Sequence, residues 1–195
     1  MPPFADITLA ILAGGKASRM GGKNKALLKF EGETFISRIH QNLAPLFSST
    51  IVISNDQVDY GLKEVPVFKD IVHGMGPIGG IHSALSNSVT PYVFVVSCDM
   101  PFADSSIAEM LMVQFYIEKP ELLIPRIDQY SEPLFAIYSA NLKGRIELLL
   151  KGTEGIPITY LMKNSKTLYF DLPGNDKVKR CFTNINSFDD LKGLD

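Results

Sequence analysis

Cysteine is scarce in this chain: Cys98 and Cys181 are the only two among 195 residues. Two are too few for a disulfide framework and have no metal-ligand spacing, so the chain reads as a protein of a reducing cytoplasm carrying two buried thiols. Excess charge is also lacking. A formal net charge of −2 argues against broad binding to nucleic acid, which needs many cations to neutralise phosphates. Long hydrophobic runs are missing as well. The apolar stretch from Ile7 to Ala13 is interrupted by Thr8 and ends in glycines, too short to span a bilayer, and no basic leader precedes it. There is no low-complexity tract, internal repeat or linker. No GxSxG, HExxH or Cys–His signature is present, and His40, His73 and His82 pair with no nucleophile motif, which leaves hydrolase chemistry unsupported.

What remains is a hydrophobic content of 46% with 21% charged residues, the profile of a globular protein. The length suits a single domain over residues 1–195, since domains commonly hold about 100–200 residues. Ile7–Ala13 reads as a first strand. Residues 34–47 carry Phe35, Ile36, Ile39, Leu43, Leu46 and Phe47 at helical intervals, with Pro45 marking the stop and His40 on the exposed side. Strands are expected at Thr50–Asn55 and Val65–Asp70, then a helix over Gly76–Ser88 with a proline near its first position. The unbroken apolar row in PYVFVVSC reads as a strand buried on both faces. Further on, helices are expected over Ala103–Glu118 and Asn141–Lys151, and strands at ELLIPRI, PLFAIYS and KTLYFDL. Ser187 could cap a short terminal helix with Asp190 three residues on. Alternation of strands and helices predicts an α/β fold, a mainly parallel sheet with helices on both faces and its ligand site outside the carboxyl ends of the strands.

Charge is distributed unevenly. Lys16, Arg19, Lys23, Lys25 and Lys29 lie in the segment ILAGGKASRMGGKNKALLKF, directly after the first strand and without one acidic residue. Gly14, Gly15, Gly21 and Gly22 would let backbone N–H groups approach a ligand closely, so the loop reads either as a phosphate cradle or as a solvated surface loop. It lacks the Walker A spacing. Gly74–Gly79 is a formal GxGxxG with Asp99 about 20 residues further on, where a dinucleotide fold keeps its ribose acid. Against a dinucleotide site, DIVH separates the motif from the preceding strand and Pro77 stiffens the turn.

Asp99 follows the buried strand and suits either Mg²⁺, which shares one or two carboxylates with substrate phosphates, or a turn cap before Pro101. Asn55 and Asp70 also end strands and carry the same two readings. Together with the basic loop they form a constellation on one sheet edge.

These residues resemble a known family, the nucleotidyltransferases of the molybdenum cofactor guanylyltransferase type. LAGGKASRMGGKNKALL is similar to the family's LAGG-x-x-x-RMGG-x-x-K signature, GPIGGIHSAL to its GP-L-A-G segment, VSCDMPF to its C-D-x-P metal motif, and NINSFDDL to its C-terminal element. Ile78 and Gly79 depart from the usual Leu-Ala. The resemblance implies a Rossmann-like GT-A fold and Mg²⁺-dependent transfer of GMP from GTP to the phosphate of molybdenum-bound molybdopterin, with release of pyrophosphate. A partner protein could deliver that pterin.

By matched position, the resemblance puts Leu12, Ala13, Gly14 and Gly15 at the guanine nucleotide, Lys25 on phosphate, Asn55 and Asp70 at the nucleoside, and Asp99 on both metal and nucleotide. It makes Arg19, Lys25 and Asp99 the catalytic set and Asn184 and Asn186 pterin or metal contacts. LAGG, in place of the Ala-Ala-Gly of cytidylyl relatives, favours GTP over CTP. The residues alone leave open a cytidylyl or other nucleotidyltransferase, or a nucleotide-binding module without turnover.

Overall fold

The computed structural model describes residues 2–14, 24–151, 157–186 and 190. Its centre is β1 (Phe4–Leu12), whose residues from Ile7 to Leu12 are all buried, as a strand covered on both faces requires. Glu31 and Gly32 both take positive φ, 52° and 86°, which closes the small antiparallel hairpin of β2 (Lys29–Phe30) and β3 (Glu33–Thr34). Thr34 then caps α1 (Phe35–Leu43) by accepting from the Ser37 N–H at 3.3 Å.

The helix stops at Leu43, just before the Pro45 that marks its stop in the sequence, although Leu46 and Phe47 continue its apolar spacing. A 3-10 turn over Ala44–Leu46 carries Pro45, which has no N–H to give to the helix, and Phe47 already opens β4 (Phe47–Ile53). His40 is not on an exposed face. It is half-buried, and burial pushes its pKa below 6.5.

β5 (Val67–Phe68) pairs only two residues with β4, shorter than expected, because it lies at the sheet's end. α2 (Pro77–Asn87) begins at Pro77 as its sequence predicts, after Gly76 at φ 59° and ψ −147°, a conformation open mainly to glycine. β6 (Tyr92–Ser97) follows, then α3 (Ser105–Glu118), capped by Asp104. β7 (Leu122–Ile127) and β8 (Tyr130–Ser131) form a hairpin, and β9 (Phe135–Ser139) leads to α4 (Lys143–Leu150). α5 (Ile158–Lys163), β10 (Thr167–Asp171) and α6 (Asp176–Cys181) complete the described elements. Neither α5 nor α6 was expected, since six residues are too few to display a helical period. Ser187 lies outside the described residues.

The described strands form an eight-stranded sheet in the order β10-β7-β9-β6-β1-β4-β5, with β8 beside β7. The β1–β4, β1–β6, β4–β5 and β7–β10 pairs are parallel, whereas β9 runs antiparallel to both neighbours. One face is covered by α1, α3 and α6, the other by α2, α4 and α5, each with its own apolar cluster. The arrangement is the expected α/β sheet with helices on both faces. Among the described residues no helix is long and apolar enough to cross a membrane.

Candidate nucleotide and metal site

From β1 the chain moves outward to β4 and β5, then returns to place β6 on the other side of β1. Such a reversal opens a crevice at the carboxyl ends of the strands, where open α/β sheets bind ligands. Backbone bonds continue past the strand ends and hold the rim: Ala13 N–H to Ile53 O at 2.9 Å, and Cys98 N–H to Leu12 O at 3.0 Å. Leu12, Ala13 and Gly14 therefore lie beside the turn that carries Asp99. A Cβ on Gly14 would come no nearer than 4.0 Å to its nearest neighbour, Ile53 O, so the backbone is open there.

Asp99 is half-buried, yet its Oδ1 is fully covered and finds no hydrogen-bond partner among the described residues. A covered carboxylate oxygen without a partner is costly, and a hard cation is one group that would satisfy it. Among the described residues Asp99 joins no group of three or more His, Cys, Asp or Glu. Mg²⁺ tolerates this because it keeps several waters and needs few protein carboxylates. The residues present fit that ion.

Lys25 sits in a 3-10 turn (Lys25–Leu27) whose cap is Asn24. Asn24 Oδ1 accepts from the Ala26 N–H at 2.9 Å, while its Nδ2 donates to Asp56 Oδ2 at 2.6 Å and to the Tyr60 hydroxyl at 3.0 Å. That hydroxyl donates in turn to Ser54 Oγ at 2.6 Å, and burial raises its pKa above 10.0. The network ties the turn to the end of β4 and fixes where Lys25 begins. Its ammonium donates to Asn186 Oδ1 at 2.8 Å.

The segment Asn184–Ile185–Asn186 alternates. Ile185 is buried against Leu28, Phe35 and Phe102, so both asparagines point the other way and are exposed. The Ile185 N–H bonds Asp99 O at 2.8 Å, which holds this segment against the turn that carries Asp99. Lys25, Asp99, Asn184 and Asn186 are thus brought together from distant parts of the chain. Asn55 and Asp70 meet on the other side of β1, with Asn55 Nδ2 on Asp70 Oδ2 at 2.8 Å and Asp70 N–H on Asn55 Oδ1 at 3.0 Å. Gly15 and Arg19 lie outside the described residues.

Sequence reasoning missed Glu132. Its carboxyl is pushed up to about 7, first by burial and then by the charge of Asp99, against the hydrogen bond from the Leu134 N–H. Asn24 and Tyr60 were missed too. Asn24 does follow the glycine loop immediately, a position where an Asn cap could have been suspected.

Cys98, beside Asp99, is no nucleophile: burial, followed by the Asp99 charge, pushes its thiol up to about 12. Cys181 is likewise buried and pushed up to about 12 by burial. Gly74–Gly79 leads from the end strand β5 into α2, with residues 69–73 intervening, unlike the direct strand-to-turn passage of a dinucleotide fingerprint.

Residues 9–165 match the family described as the MobA-like NTP transferase domain. The chain belongs to this family. A relative from Clostridium perfringens, named a probable molybdenum cofactor guanylyltransferase, is 39% identical over 189 residues, covering 95% of this chain and 94% of its own. The molybdenum cofactor guanylyltransferase of Vibrio vulnificus is 30% identical over 183 residues, covering 93% and 91%. The crystal structure of molybdopterin-guanine dinucleotide biosynthesis protein A from Archaeoglobus fulgidus superposes with a TM-score of 0.79 at 28% identity, over 95% of each chain. A cytidylyltransferase from Leptospira borgpetersenii reaches 0.72 at 17% identity, over 97% of this chain and 85% of its own, a likeness of fold. The MobA-like chain is a nucleotidyltransferase with the Rossmann-like α/β fold of its family.

Proposed function

We propose that this nucleotidyltransferase acts in molybdenum cofactor biosynthesis, transferring GMP from GTP to the terminal phosphate of molybdenum-bound molybdopterin. The observation that carries the reading is the Asp99 Oδ1 at the switch point, covered and without a partner among the described residues, in one constellation with Lys25. The names of the relatives supply the donor base and the acceptor.

In this reading an oxygen of the pterin phosphate attacks the α-phosphorus of GTP, forming a new P–O–P link while the bond to the β-phosphate oxygen breaks. Pyrophosphate leaves with that bonding pair. The attacking phosphate is already anionic, so no general base is required, and the protein's task is positioning and charge neutralisation. Leu12, Ala13 and Gly14 border the nucleotide with open backbone, and the Asn55–Asp70 pair offers polar groups to the nucleoside. The Lys25 ammonium exchanges its Asn186 partner for phosphate oxygens. Asp99 would hold Mg²⁺, which when bound supplies neutralising charge to the phosphates. Asn184 and Asn186 face the acceptor. A partner protein that hands over the molybdenum-bound pterin belongs to the same reading.

The test has two arms. A thermal-shift panel of GTP, CTP, ATP, UTP and NAD with Mg²⁺ should show the largest shift with GTP. At 100 times its Kd, a ligand adds about 2.7 kcal/mol, roughly 5–10 °C for a chain of this size. Pyrophosphate release should then require both GTP and molybdenum-bound molybdopterin. A shift confined to CTP or NAD, or release indifferent to the pterin, would overturn the assignment.

A further inference from the structure

β5 ends at Phe68, whose O accepts from the Ser54 N–H at 2.8 Å. Past that point the chain leaves the sheet, and two consecutive amides are held by side chains from different elements. The Asp70 N–H donates to Asn55 Oδ1 at 3.0 Å, and the Ile71 N–H donates to Ser83 Oγ at 2.9 Å. Ser83 lies in α2 and is completely buried. Its hydroxyl proton goes to Gly79 O, one helical turn back, at 2.9 Å, so toward Ile71 it can only accept. The segment after β5 also lies tight against the helix, since a Cβ on Gly79 would come within 3.1 Å of Val72 O.

We infer that Ser83 is a positioning residue for nucleoside binding: it fastens the chain carrying Asp70 to α2 and so fixes where the Asp70 carboxylate stands at the ligand edge. The role rests on the reading of Asp70 as a nucleoside contact. Asn55 Nδ2 donates to Asp70 Oδ2 at 2.8 Å, which sets how the carboxylate is turned relative to the end of β4. The Ser83 bond adds an anchor on the helix, so Asp70 is held from two elements. With one anchor gone, the segment can pivot about the other.

An ionised carboxylate only accepts hydrogen bonds, so it recognises ribose hydroxyls or base N–H groups and gains nothing from a triphosphate. Disturbing Asp70 should therefore be felt by the nucleoside half of GTP and not by its phosphates. Where only a fraction of the molecules holds the binding geometry, affinity falls by that fraction. Loss of one such hydrogen bond shifts the balance by about 3- to 10-fold.

Isothermal titration calorimetry with the whole chain measures GTP and inorganic tripolyphosphate, each with Mg²⁺. Wild type, Ser83→Ala, Asp70→Ala and the Ser83→Ala/Asp70→Ala double variant are compared, with circular dichroism confirming that each is folded. Ser83→Ala is expected to weaken GTP about 3- to 10-fold and to leave tripolyphosphate within about twofold of wild type. The double variant should bind GTP no more weakly than Asp70→Ala, because Ser83 acts through Asp70. Three results overturn the role: a GTP affinity of Ser83→Ala within twofold of wild type, an equal loss toward GTP and tripolyphosphate, as a general loosening of the fold would produce, or further weakening by Ser83→Ala on top of Asp70→Ala. An Asp70→Ala protein that binds GTP like wild type instead removes Asp70 from the nucleoside and the role of Ser83 with it.

Discussion

The Lys25 ammonium lies 2.8 Å from Asn186 Oδ1, a bond between residues 161 positions apart. It joins the turn after the glycine loop to the C-terminal segment that also holds Asp99. The partner is a neutral amide, and hydrogen bonds between an ammonium and phosphate are stronger, so a triphosphate can displace it. Because negative charge builds on the leaving pyrophosphate, Lys25 should matter more in the transition state than in the ground state. Lys25→Ala is expected to lower kcat roughly 100- to 1000-fold, with a smaller loss of GTP affinity. Steady-state kinetics beside GTP titration checks this. Collapse of affinity with kcat at saturation unchanged would make Lys25 a uniform binding residue instead.

Asp99→Asn preserves the shape of the side chain while removing its charge. Turnover should be lost, since the carboxylate is what would hold Mg²⁺. Stability should not suffer in proportion, because the native Oδ1 is covered and has no partner among the described residues, and its charge repels that of Glu132. The melting temperature of the metal-free variant is expected within about 2 °C of wild type, less than the effect of 1 kcal/mol in a larger domain. Full turnover in the purified variant at ordinary Mg²⁺ would take Asp99 out of the site.

Much of this constellation was legible from residue order, for reasons specific to the fold. In a parallel sheet every strand ends at the same edge, so Leu12, Asn55, Asp70 and Asp99 could be placed there from their positions after apolar runs. Glu132 could not. PLFAIYS is recognisable as a strand, but nothing local states that it runs antiparallel, and only that direction puts its beginning at the ligand edge. Likewise Asn184 and Asn186 were readable through the family's C-terminal motif, whereas Lys25, the partner of Asn186, lies far off in sequence. Phe47 was taken for a helical residue because its spacing continues the apolar stripe of α1, although Pro45 intervenes.

Gly79 and Gly80 open α2 side by side but should respond differently to alanine. A Cβ on Gly79 would meet Met75 Cβ and the backbone oxygen of Val72, each at 3.1 Å, and neither can swing aside. A Cβ on Gly80 would meet the Leu12 Cδ1 at 3.3 Å, the far end of a flexible side chain. Alanine gains roughly 0.5–1 kcal/mol of helix propensity at either position, while overpacking costs about 1–3 kcal/mol where the surroundings are rigid. Gly79→Ala should therefore be destabilised by about 1 kcal/mol, and Gly80→Ala should be near neutral in stability. Gly80→Ala should still shift the GTP/CTP preference by displacing Leu12. Chemical denaturation of the two variants checks the order. Equal stabilities would show that the Val72 segment yields.

Far from the site, Glu121 gathers the start of β7, α4 and the turn before β10. Arg145 reaches it through Nη1 at 3.0 Å and Nη2 at 3.3 Å, and the Lys166 N–H donates to Oε2 at 2.8 Å. The Lys166 N–H, followed by Arg145, holds the carboxyl below its ordinary 4.5. Between 4.5 and the lower folded value the unfolded chain binds more protons than the native one, so stability falls as the solution is acidified. Above 4.5 the contribution is complete. Charged hydrogen bonds of this kind are worth about 1.5–3 kcal/mol when well protected, and partial exposure reduces that to about 1 kcal/mol here. Glu121→Gln, which cannot offer two charged oxygens, should lower the melting temperature by roughly 2–4 °C at pH 7. The gap between wild type and variant should narrow steadily as the pH drops below 4.5, because protonated Glu121 loses what Gln never had. Melting curves of both proteins from pH 7 down to the most acidic pH at which each still folds provide the comparison. A gap that stays constant across that range would mean that the contribution comes from packing, and that the charge of Glu121 has no part in it.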